Sequence, residues 1–393
     1  MPFLRRLIWI VLDGVGAGAL PDAEEYGDAG ADTLGNLSQV LGGLRLPNLE
    51  RLGLGKAHPI QGLSEEVKAA GAYGRMMKAS PGKDSATGHW EMTGVVVDKP
   101  FPLYPQGFPE ELIREFERRT GRGVLGNKPA SGTEIINELG DLHVKTGKPI
   151  IYTSADSVFQ IAAHKEVIPL EELYRMAETA RGMLRGEHLV SRVIARPFTG
   201  RSGAYVRVNA ERRDFSLEPP RPTLLDCLRR HGFPVAGAGK VADLFAGRGF
   251  LECPHTVDNR DTMARLLDLL DRYPSGLLMV NLVDFDTLYG HRNDPQGFRA
   301  ALEDFDDFIP RLQERMEEGD GCFITSDHGC DPTYPTTDHN REHAIMLAFG
   351  QRMRDDVDLG VRRSYADAGS TAAELMGLRC GLDGTSFAES LAR

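Results

Sequence analysis

Aspartate and histidine residues cluster just after short apolar runs of this chain, where their side chains could bind metal ions. The four clusters are Asp13-Gly14, Asp284 to His291, Asp327-His328-Gly329 and Thr337-Asp338-His339. Carboxylate oxygens suit Mg²⁺ or Mn²⁺, and imidazole suits Zn²⁺, Mn²⁺ or Fe²⁺. The clusters hold more such groups than one tetrahedral ion needs, which favours two ions about 3.5–4 Å apart, the arrangement used for phosphoryl transfer. Any single cluster could instead cap a helix or hydrogen-bond a loop.

A candidate nucleophile for that chemistry lies in the segment Gly82-Lys-Asp-Ser-Ala-Thr-Gly-His-Trp-Glu91. Ser85 and Thr87 both carry a hydroxyl in a turn flanked by glycines, and this turn should open a helix. The N-terminus of a helix stabilises a phosphate group through its free N–H groups, and a serine oxygen between two cations is an activated nucleophile. Serine and threonine also cap helices, so the functional interpretation of this segment depends on the metal clusters.

The apolar runs that precede these clusters predict β-strands. They comprise residues 7–12, 276–283 and 322–325, with a weaker candidate at 235–238. Residues 262–272 and 298–317 instead repeat apolar side chains at three- and four-residue spacing, which predicts helices. Near-continuous apolar strands that alternate with helices indicate an α/β fold, with a largely parallel sheet and helices on both faces. Since ligands bind beyond the carboxyl ends of such strands, the polar clusters should meet at one edge of the sheet.

Two proline-rich stretches, 100–109 and 219–222, divide the chain. Proline cannot donate a backbone hydrogen bond and restricts the residue before it, so both stretches are interpreted as linkers. We therefore predict a discontinuous, metal-binding catalytic core at residues 1–100 and 219–393, with a smaller inserted α/β or α+β cap domain at 101–218. The elements expected in the cap are strands at 149–153 and 204–208 and helices at 109–119 and 170–184.

The composition excludes several classes of protein. With 393 residues, of which 41% are apolar, the chain is long enough for two or three domains with buried cores. A net charge of −11 disfavours nucleic acid as a partner. The first apolar run is interrupted by Asp13 and is too short for a membrane span or a signal peptide. No association with a membrane is therefore expected.

Cysteine and arginine add two further expectations. The five cysteines, Cys227, Cys253, Cys322, Cys330 and Cys380, are scattered. Their odd number and the absence of CxxC spacing predict a reducing, cytoplasmic location, no disulfide framework and no thiolate metal site. Residues 181–213 hold eight arginines against two glutamates, which indicates either a small anionic ligand such as a phosphate or a solvated surface.

Six segments of the chain together resemble the phosphopentomutase family, which belongs to the alkaline phosphatase superfamily of metalloenzymes. They are Asp13-Gly14, GKDSATGHWE at 82–91, YTSADSVFQIAAH at 152–164, RVIARPF at 192–198, DFDTLYGHR at 284–292 and DHGCDPTYPTTDHNRE at 327–342. This resemblance implies an alkaline-phosphatase-like core and an isomerase that interconverts ribose 1-phosphate and ribose 5-phosphate, and the 2-deoxyribose pair. It also implies two Mn²⁺ ions, or other divalent ions in their place, and a bisphosphorylated sugar as activator or primer.

The resemblance also implies roles for individual residues. The six expected metal ligands divide between two ions: Asp13, Asp327 and His328 for one, and Asp286, His291 and His339 for the other. Ser85 would bridge the ions and carry the phosphoryl group, since it follows Lys83-Asp84 as in the family motif. Many family members have threonine where this chain has Ser85, and Thr87 remains the alternative nucleophile.

The remaining site residues that the resemblance implies would contact the substrate, and they are Ser154, Asp156, Val158, Arg192, Ile194 and Lys240. Ser154 and Asp156 would hydrogen-bond the sugar hydroxyls, or a cation linked to the phosphate. Val158 and Ile194 would pack on the sugar ring, although they could also be ordinary core residues. Arg192 and Lys240 would hold the phosphate that does not react, a task that suits a guanidinium, although Arg192 could also belong to a surface ion pair.

The cap should exclude water while the enzyme is phosphorylated, because the same metal centre would otherwise hydrolyse the phosphoenzyme. Two alternatives within the same chemistry are a related two-metal phosphatase and a cofactor-independent phosphoglycerate mutase. A non-catalytic metal- or phosphate-binding protein is the alternative from a different class. The segments at 152–164 and 192–198 favour the pentose enzyme. The expected partners are small pentose phosphates, and the oligomeric state stays open, a monomer included.

Overall fold

The computed structural model describes residues 3–154 and 157–393. The strands within them are β1 Arg6–Leu12, β2 Gly16–Ala19, β3 Ala72–Met76, β4 Leu125–Pro129, β5 Ile150–Thr153, β6 Val158–His164, β7 Arg192–Arg201, β8 Ala204–Arg207, β9 Arg213–Ser216, β10 Val235–Ala238, β11 Gly276–Leu282, β12 Asp320–Thr325, β13 Glu342–Phe349 and β14 Val357–Arg362. The helices are α1 Thr33–Val40, α2 Pro47–Arg51, α3 Leu54–Ala57, α4 Ser85–Met92, α5 Glu110–Thr120, α6 Gly132–Thr146, α7 Leu170–Met183, α8 Leu224–Arg230, α9 Asn259–Arg272, α10 Pro295–Arg315, α11 Ala366–Leu375 and α12 Ala388–Leu391. Along this part of the chain, no helix combines the length and the apolar composition that crossing a membrane requires.

The chain folds as two compact units. The larger unit consists of Met1–Lys99 and Glu218–Arg393, and the smaller unit of Pro100–Leu217. The chain therefore passes from one unit to the other at the two proline-rich stretches. The roles expected for the units, catalytic core and cap, stay predictions.

The strands of the larger unit form one sheet in the order β10-β11-β1-β12-β13-β3-β14, with β2 paired to β13. Strands β10, β11, β1 and β12 are parallel to one another, whereas β13 runs antiparallel to both β12 and β3. The α/β fold is confirmed, and the four apolar runs predicted as strands correspond to β1, β10, β11 and β12. Strand β13 is antiparallel to its neighbours, whereas the apolar runs predict a largely parallel sheet.

Strand β1 lies at the centre of this unit, and all seven of its residues are buried. Ile8 belongs to an apolar cluster with Leu266 of α9 and Leu302 of α10. On the opposite face, Trp9 packs edge-on against Phe323 of β12, with the ring centroids 5.4 Å apart. Because both faces of the strand are covered, β1 continues after Arg6 as an apolar run from Leu7 to Leu12 instead of alternating apolar and polar residues.

A buried ion pair joins the start of β1 to the start of β12. Arg6 and Asp320 are both almost fully buried, and the Arg6 guanidinium donates hydrogen bonds to both Asp320 carboxylate oxygens. The Arg6 Nη1 group also donates to the backbone carbonyls of Leu270 and Tyr273, at 2.7 and 2.8 Å. Each charge is therefore compensated within the core, and the loss of one partner would leave the other charge buried and unpaired.

Replacing Asp320 with alanine should lower the free energy of unfolding by about 3–5 kcal/mol, because the Arg6 charge would stay buried without its partner. Urea denaturation followed by circular dichroism measures this change. Arg5→Ala is the matched control, since Arg5 pairs with Glu317 at the exposed surface, where an ion pair contributes little. A similar loss of stability in the two variants would contradict the importance of the buried pair.

The smaller unit contains a second sheet, in the order β4-β5-β6-β7-β8, with β9 paired to β7. Helices α5 and α7 cover one face, where Phe116 and Ala177 pack with Phe159 of β6. Helix α6 covers the other face, where Ile135 packs with Phe198 of β7. The strands and helices that the sequence predicts in this region correspond to β5, β8, α5 and α7.

A disulfide bond joins Cys227 of α8 to Cys380, which follows α11. The expectation that the cysteines form no disulfide is therefore wrong. The two residues are 153 positions apart, with their Cα atoms 5.7 Å from each other, and only the packing of α8 against α11 brings them together. No short spacing pattern in the sequence could indicate such a pair. The cytoplasmic location, inferred from the cysteines, stays a prediction that this bond does not support.

Candidate metal centre

The expected metal ligands lie near the carboxyl-terminal ends of neighbouring strands in the larger unit. Strands β11, β1 and β12 are adjacent and parallel, so their carboxyl ends meet at one edge of the sheet. The six residues follow β1 (Asp13), β11 (Asp286 and His291) and β12 (Asp327 and His328), or precede β13 (His339). The topology alone therefore places carboxylates and imidazoles from distant parts of the chain at one edge.

Asp13, Asp327 and His328 form one group, in which one ligand atom of each residue lies within 4.8 Å of the others. The His328 Nε2 atom lies 3.3 Å from an Asp13 oxygen and 3.4 Å from an Asp327 oxygen. All three side chains are almost fully buried. The Ser85 Oγ atom lies 3.0 Å from the same His328 nitrogen, which brings the expected nucleophile to this group.

Asp286, His291 and His339 form a second group, whose ligand atoms make a nearly equilateral triangle. The Asp286 Oδ1 atom lies 3.3 Å from His291 Nε2 and 3.1 Å from His339 Nε2, and the two nitrogens are 3.2 Å apart. An ion with ligand distances of about 2.0–2.2 Å fits close to the centre of such a triangle. His328 stacks on His339, with the ring centroids 3.8 Å apart, so the two groups are contiguous.

In each of the three histidines, the Nδ1 atom hydrogen-bonds to a backbone carbonyl. The carbonyls belong to Gly329 for His328, Thr337 for His291 and Lys83 for His339, at distances of 3.0, 2.6 and 2.9 Å. A carbonyl oxygen only accepts hydrogen bonds, so Nδ1 is the protonated nitrogen of each neutral imidazole and Nε2 carries the lone pair. The three Nε2 lone pairs are therefore available to a cation, as in metal-binding histidines whose other nitrogen is held by a second partner.

Four carboxylate oxygens of this cluster are buried without a hydrogen-bond donor among the described residues. They are both oxygens of Asp13, Oδ1 of Asp286 and Oδ2 of Asp327. Burying a carboxylate without compensation is costly, and a divalent cation supplies that compensation. Three carboxylates and three imidazoles together suit Mn²⁺, Mg²⁺ or Zn²⁺. The residues at this edge of the sheet therefore fit a pair of divalent ions.

The start of α4 distinguishes the two candidate nucleophiles. The helix begins at Ser85, as the glycine-flanked turn predicts, and Asp84 is its N-cap. The Asp84 carboxylate accepts hydrogen bonds from the Thr87 backbone N–H at 2.9 Å and from the Thr87 hydroxyl at 2.7 Å. The Thr87 hydroxyl thus bonds to the N-cap residue, whereas the Ser85 hydroxyl bonds to His328, one of the expected metal ligands. Gly88 permits this close packing, because a Cβ there would lie 2.5 Å from the Asp327 carbonyl oxygen.

Three side chains to which the sequence assigns no role hold the segment before Ser85 in place. Lys78 donates to the Asp84 carbonyl at 3.0 Å, and burial lowers the pKa of its ammonium group. Arg341 donates to the Gly82 carbonyl at 2.7 Å. The Glu91 carboxylate accepts two backbone N–H bonds from residues 79 and 80, at 2.8 and 2.7 Å. The only sequence signal for this support is that Glu91 and Arg341 lie within the segments that resemble the family.

His89 connects helix α4 to Asp327, one of the expected metal ligands. Its Nδ1 atom lies 2.9 Å from the Ser85 carbonyl oxygen and 3.4 Å from Asp327 Oδ2, and its Nε2 atom lies 3.2 Å from Asn281 Nδ2. Burial alone would raise the pKa of Asp327, but the adjacent imidazoles and the Gly14 N–H hold it below its usual range. The His89 ring thus lies beside the Asp327 carboxylate while its Nδ1 atom bonds to the Ser85 carbonyl, and we expect His89 to act as a positioning residue for that carboxylate.

Replacing His89 with alanine should weaken the binding of one divalent ion by about 10- to 100-fold, because Asp327 would lose a group that orients it. Calorimetric titration of the chelator-treated protein with Mn²⁺ measures the affinity. His343→Ala is the control, since His343 is also buried in this unit but bonds to the Gly18 carbonyl. Unchanged affinity for Mn²⁺ in His89→Ala would exclude the positioning role.

Three of the expected substrate contacts share one face of the sheet in the smaller unit. Val158 of β6 pairs directly with Arg192 of β7, and Ile194 lies two residues further along β7, so their side chains project on the same side. Val158 and Ile194 are buried, and an Arg192 nitrogen lies 3.7 Å from an Asp214 oxygen. These observations are compatible with substrate contact and with a structural role.

The other expected substrate contacts are distributed over both units. Ser154 directly follows β5 in the smaller unit, and Asp156 lies outside the described residues. Lys240 belongs to the larger unit, where its Nζ atom lies 3.8 Å from Asp13 Oδ2. Contact of any of these residues with a substrate stays a prediction.

Comparisons with known proteins agree with the resemblance of the motifs. A family model described as the metalloenzyme superfamily matches residues 238–380. The phosphopentomutase of Carboxydothermus hydrogenoformans is 56% identical, and the alignment covers 98% of both chains. The phosphopentomutase of Caldanaerobacter subterraneus subsp. tengcongensis is 53% identical over 99% of this chain and 98% of its own, and that of Thermotoga maritima is 55% identical over 97% and 98%. Because these relatives share more than half of their residues with it over nearly the full length, the chain belongs to the phosphopentomutase family of isomerases, within the metalloenzyme superfamily.

Proposed function

We propose that this chain interconverts ribose 1-phosphate and ribose 5-phosphate, and the 2-deoxyribose pair, through phosphorylated Ser85. The full-length phosphopentomutase relatives support the reaction. The observation that carries the mechanism is the position of the Ser85 hydroxyl, 3.0 Å from His328 Nε2, at the edge where six carboxylate and imidazole ligands converge. A hydroxyl in that position can be phosphorylated and can return its phosphoryl group.

The residues around Ser85 would hold two divalent cations. Asp13, Asp327 and His328 would bind one ion, and Asp286, His291 and His339 the other, with Ser85 between them. When bound, the ions would lower the pKa of the nucleophilic oxygen and neutralise charge on the transferring phosphoryl group. Use of divalent metal follows from the family and from the donor set, and Mn²⁺ is the identity we propose.

The chain's own residues would carry out two phosphoryl transfers in opposite directions. In the first, the bond between Ser85 Oγ and phosphorus breaks, and a bond forms between phosphorus and the free hydroxyl of the pentose monophosphate. The proton of the sugar hydroxyl passes to the Ser85 oxygen, so a neutral serine and a pentose 1,5-bisphosphate result. In the second, the other phosphate of the bisphosphate returns to Ser85, and the isomeric monophosphate is released.

An unphosphorylated enzyme would need one phosphoryl group before this cycle can begin. A bisphosphorylated sugar would supply it, because transfer of either phosphate to Ser85 leaves a monophosphate product. The N-terminus of α4 lies at the reacting oxygen, and the free N–H groups of a helix N-terminus stabilise phosphate oxygens. We propose that Arg192 and Lys240 bind the phosphate that does not react, and that Ser154, Asp156, Val158 and Ile194 contact the sugar.

The function is tested by following ribose 1-phosphate with the Mn²⁺-loaded protein, with and without a bisphosphorylated sugar as primer. The expected result is primer-stimulated formation of ribose 5-phosphate without release of inorganic phosphate. Release of inorganic phosphate as the main product would instead indicate a phosphatase. Binding of two ions without either product would indicate a non-catalytic binding protein.

A further inference from the structure

A cysteine lies beside the second group of metal ligands. Cys330 is almost fully buried, and its sulfur, an Asp286 oxygen and a His291 nitrogen all lie within 4.8 Å of one another. The expectation that no cysteine belongs to a metal site does not account for this arrangement. The ligand set implied by the family resemblance does not include this sulfur either.

The backbone fixes the position of this sulfur. The Cys330 N–H donates to the Gly14 carbonyl at 2.8 Å, which ties the residue to the turn after β1. A Cβ at Gly14 would lie 2.8 Å from the Cys330 Cβ, and a Cβ at Gly290 would lie 2.5 Å from the Cys330 sulfur. Two glycines from separate segments therefore leave the room that the Cys330 side chain fills beside Asp286 and His291.

We propose that Cys330 is a conditional ligand, which coordinates a thiophilic divalent ion such as Zn²⁺, Co²⁺ or Cd²⁺ together with Asp286 and His291, but leaves Mn²⁺ and Mg²⁺ to the oxygen and nitrogen donors. This inference rests on the metal centre of the proposed function. Sulfur ligands favour softer ions, whereas Mn²⁺ and Mg²⁺ favour carboxylates. Zinc bonds to thiolate sulfur at about 2.3 Å, and sets of Cys, His and Asp are ordinary zinc ligands.

Coordination by Cys330 has a chemical consequence for metal selectivity. The sulfur must release its proton when the ion binds, and the ion gains a sulfur ligand that Mn²⁺ does not use. The second position therefore holds thiophilic ions more tightly than Mn²⁺. Such ions should displace Mn²⁺ from this position even when Mn²⁺ is in excess.

Cobalt spectroscopy tests the proposal without depending on catalysis. The chelator-treated protein is loaded with two Co²⁺ per chain, and its near-ultraviolet absorption is recorded. We expect a sulfur-to-cobalt charge-transfer band in the wild-type protein and its loss in Cys330→Ser and Cys330→Ala. The matched controls are Cys253→Ser and Cys322→Ser, which replace the other two free cysteines and should keep the band.

The affinity for Cd²⁺ gives a second measurement. Cys330→Ser should bind the second Cd²⁺ about 100-fold more weakly, while its affinity for Mn²⁺ should change by less than about threefold. Absence of the band from wild-type protein that holds two Co²⁺, or its persistence in both Cys330 variants, would overturn the proposal. Failure of the wild-type Mn²⁺ protein to isomerise ribose 1-phosphate would count against the proposed function alone, since the absorption band reports only on coordination.

Discussion

Ser85→Ala should lower the rate of ribose 5-phosphate formation by about 10⁴-fold or more, because the variant would lack the oxygen that we propose carries the phosphoryl group. No other hydroxyl among the residues discussed above occupies an equivalent position. The Thr87 hydroxyl, its neighbour on α4, donates to the Asp84 carboxylate at 2.7 Å and is fully buried. The rate is measured with primer present, and the intact mass of the protein is recorded after incubation with primer.

Two further variants separate the nucleophile from the helix cap. Ser85→Thr keeps a hydroxyl at the same position and should keep activity within about tenfold, since either hydroxyl can serve as a nucleophile. Thr87→Val removes the hydroxyl bond to Asp84 and should cost about 0.5–2 kcal/mol of stability, yet it should still gain the mass of one phosphoryl group. A stable phosphoprotein in Ser85→Ala, together with none in Thr87→Val, would assign the nucleophile to Thr87 instead.

Asp286→Asn should reduce the bound metal from two ions to one per chain and lower mutase activity by about 10³-fold or more. Asp286 is the only carboxylate in the triangle of ligand atoms that it forms with His291 and His339. An amide has the same shape as the carboxylate but no charge, so the second ion would lose its electrostatic compensation. Treatment of the wild-type protein with a chelator should likewise abolish activity, and added Mn²⁺ should restore it.

Asp284→Asn is the matched control for this prediction. Asp284 lies two residues from Asp286, but its carboxylate accepts a hydrogen bond from the Asn259 backbone N–H at 2.8 Å and belongs to neither group of ligands. Metal analysis after gel filtration should find two ions in this variant and one in Asp286→Asn. Two ions bound with wild-type affinity in Asp286→Asn would remove Asp286 from the ligand set.

The sequence predicts the α/β fold and the edge of the sheet where the structure places the six expected metal ligands. Strand β1 is apolar on both faces because Ile8 and Trp9 pack on opposite sides of the sheet, and such runs can be recognised without a structure. The apolar pattern does not predict strand β13, since the strand begins with Glu342 and His343. The Glu342 carboxylate accepts hydrogen bonds from the backbone N–H and hydroxyl of Thr33, and this distant partner makes its burial possible.

Contacts between residues that are far apart in the chain cannot be predicted from sequence spacing. The positioning role of His89 depends on Asp327 and Asn281, which lie in other strand-ending segments and have no fixed spacing from it. Lys78 donates to the backbone carbonyl of Asp84. Any residue could supply such a carbonyl, so the sequence does not indicate which residue Lys78 contacts. The position of Cys330 beside Asp286 and His291 likewise depends on the fold, although all three residues lie within recognisable motifs.

The bond between Cys227 and Cys380 gives the oxidised chain a covalent ring, with a separation of 153 residues between its ends. Five of the six expected metal ligands lie inside this ring, whereas Asp13 and Ser85 lie on the linear part before it. A ring of this size reduces the entropy of the denatured chain by an amount equivalent to about 5 kcal/mol. A denatured chain that keeps the bond therefore holds most of the expected ligands within one closed loop. To reform the cluster on refolding, the linear N-terminal part, with Asp13 and Ser85, must pack against this loop again.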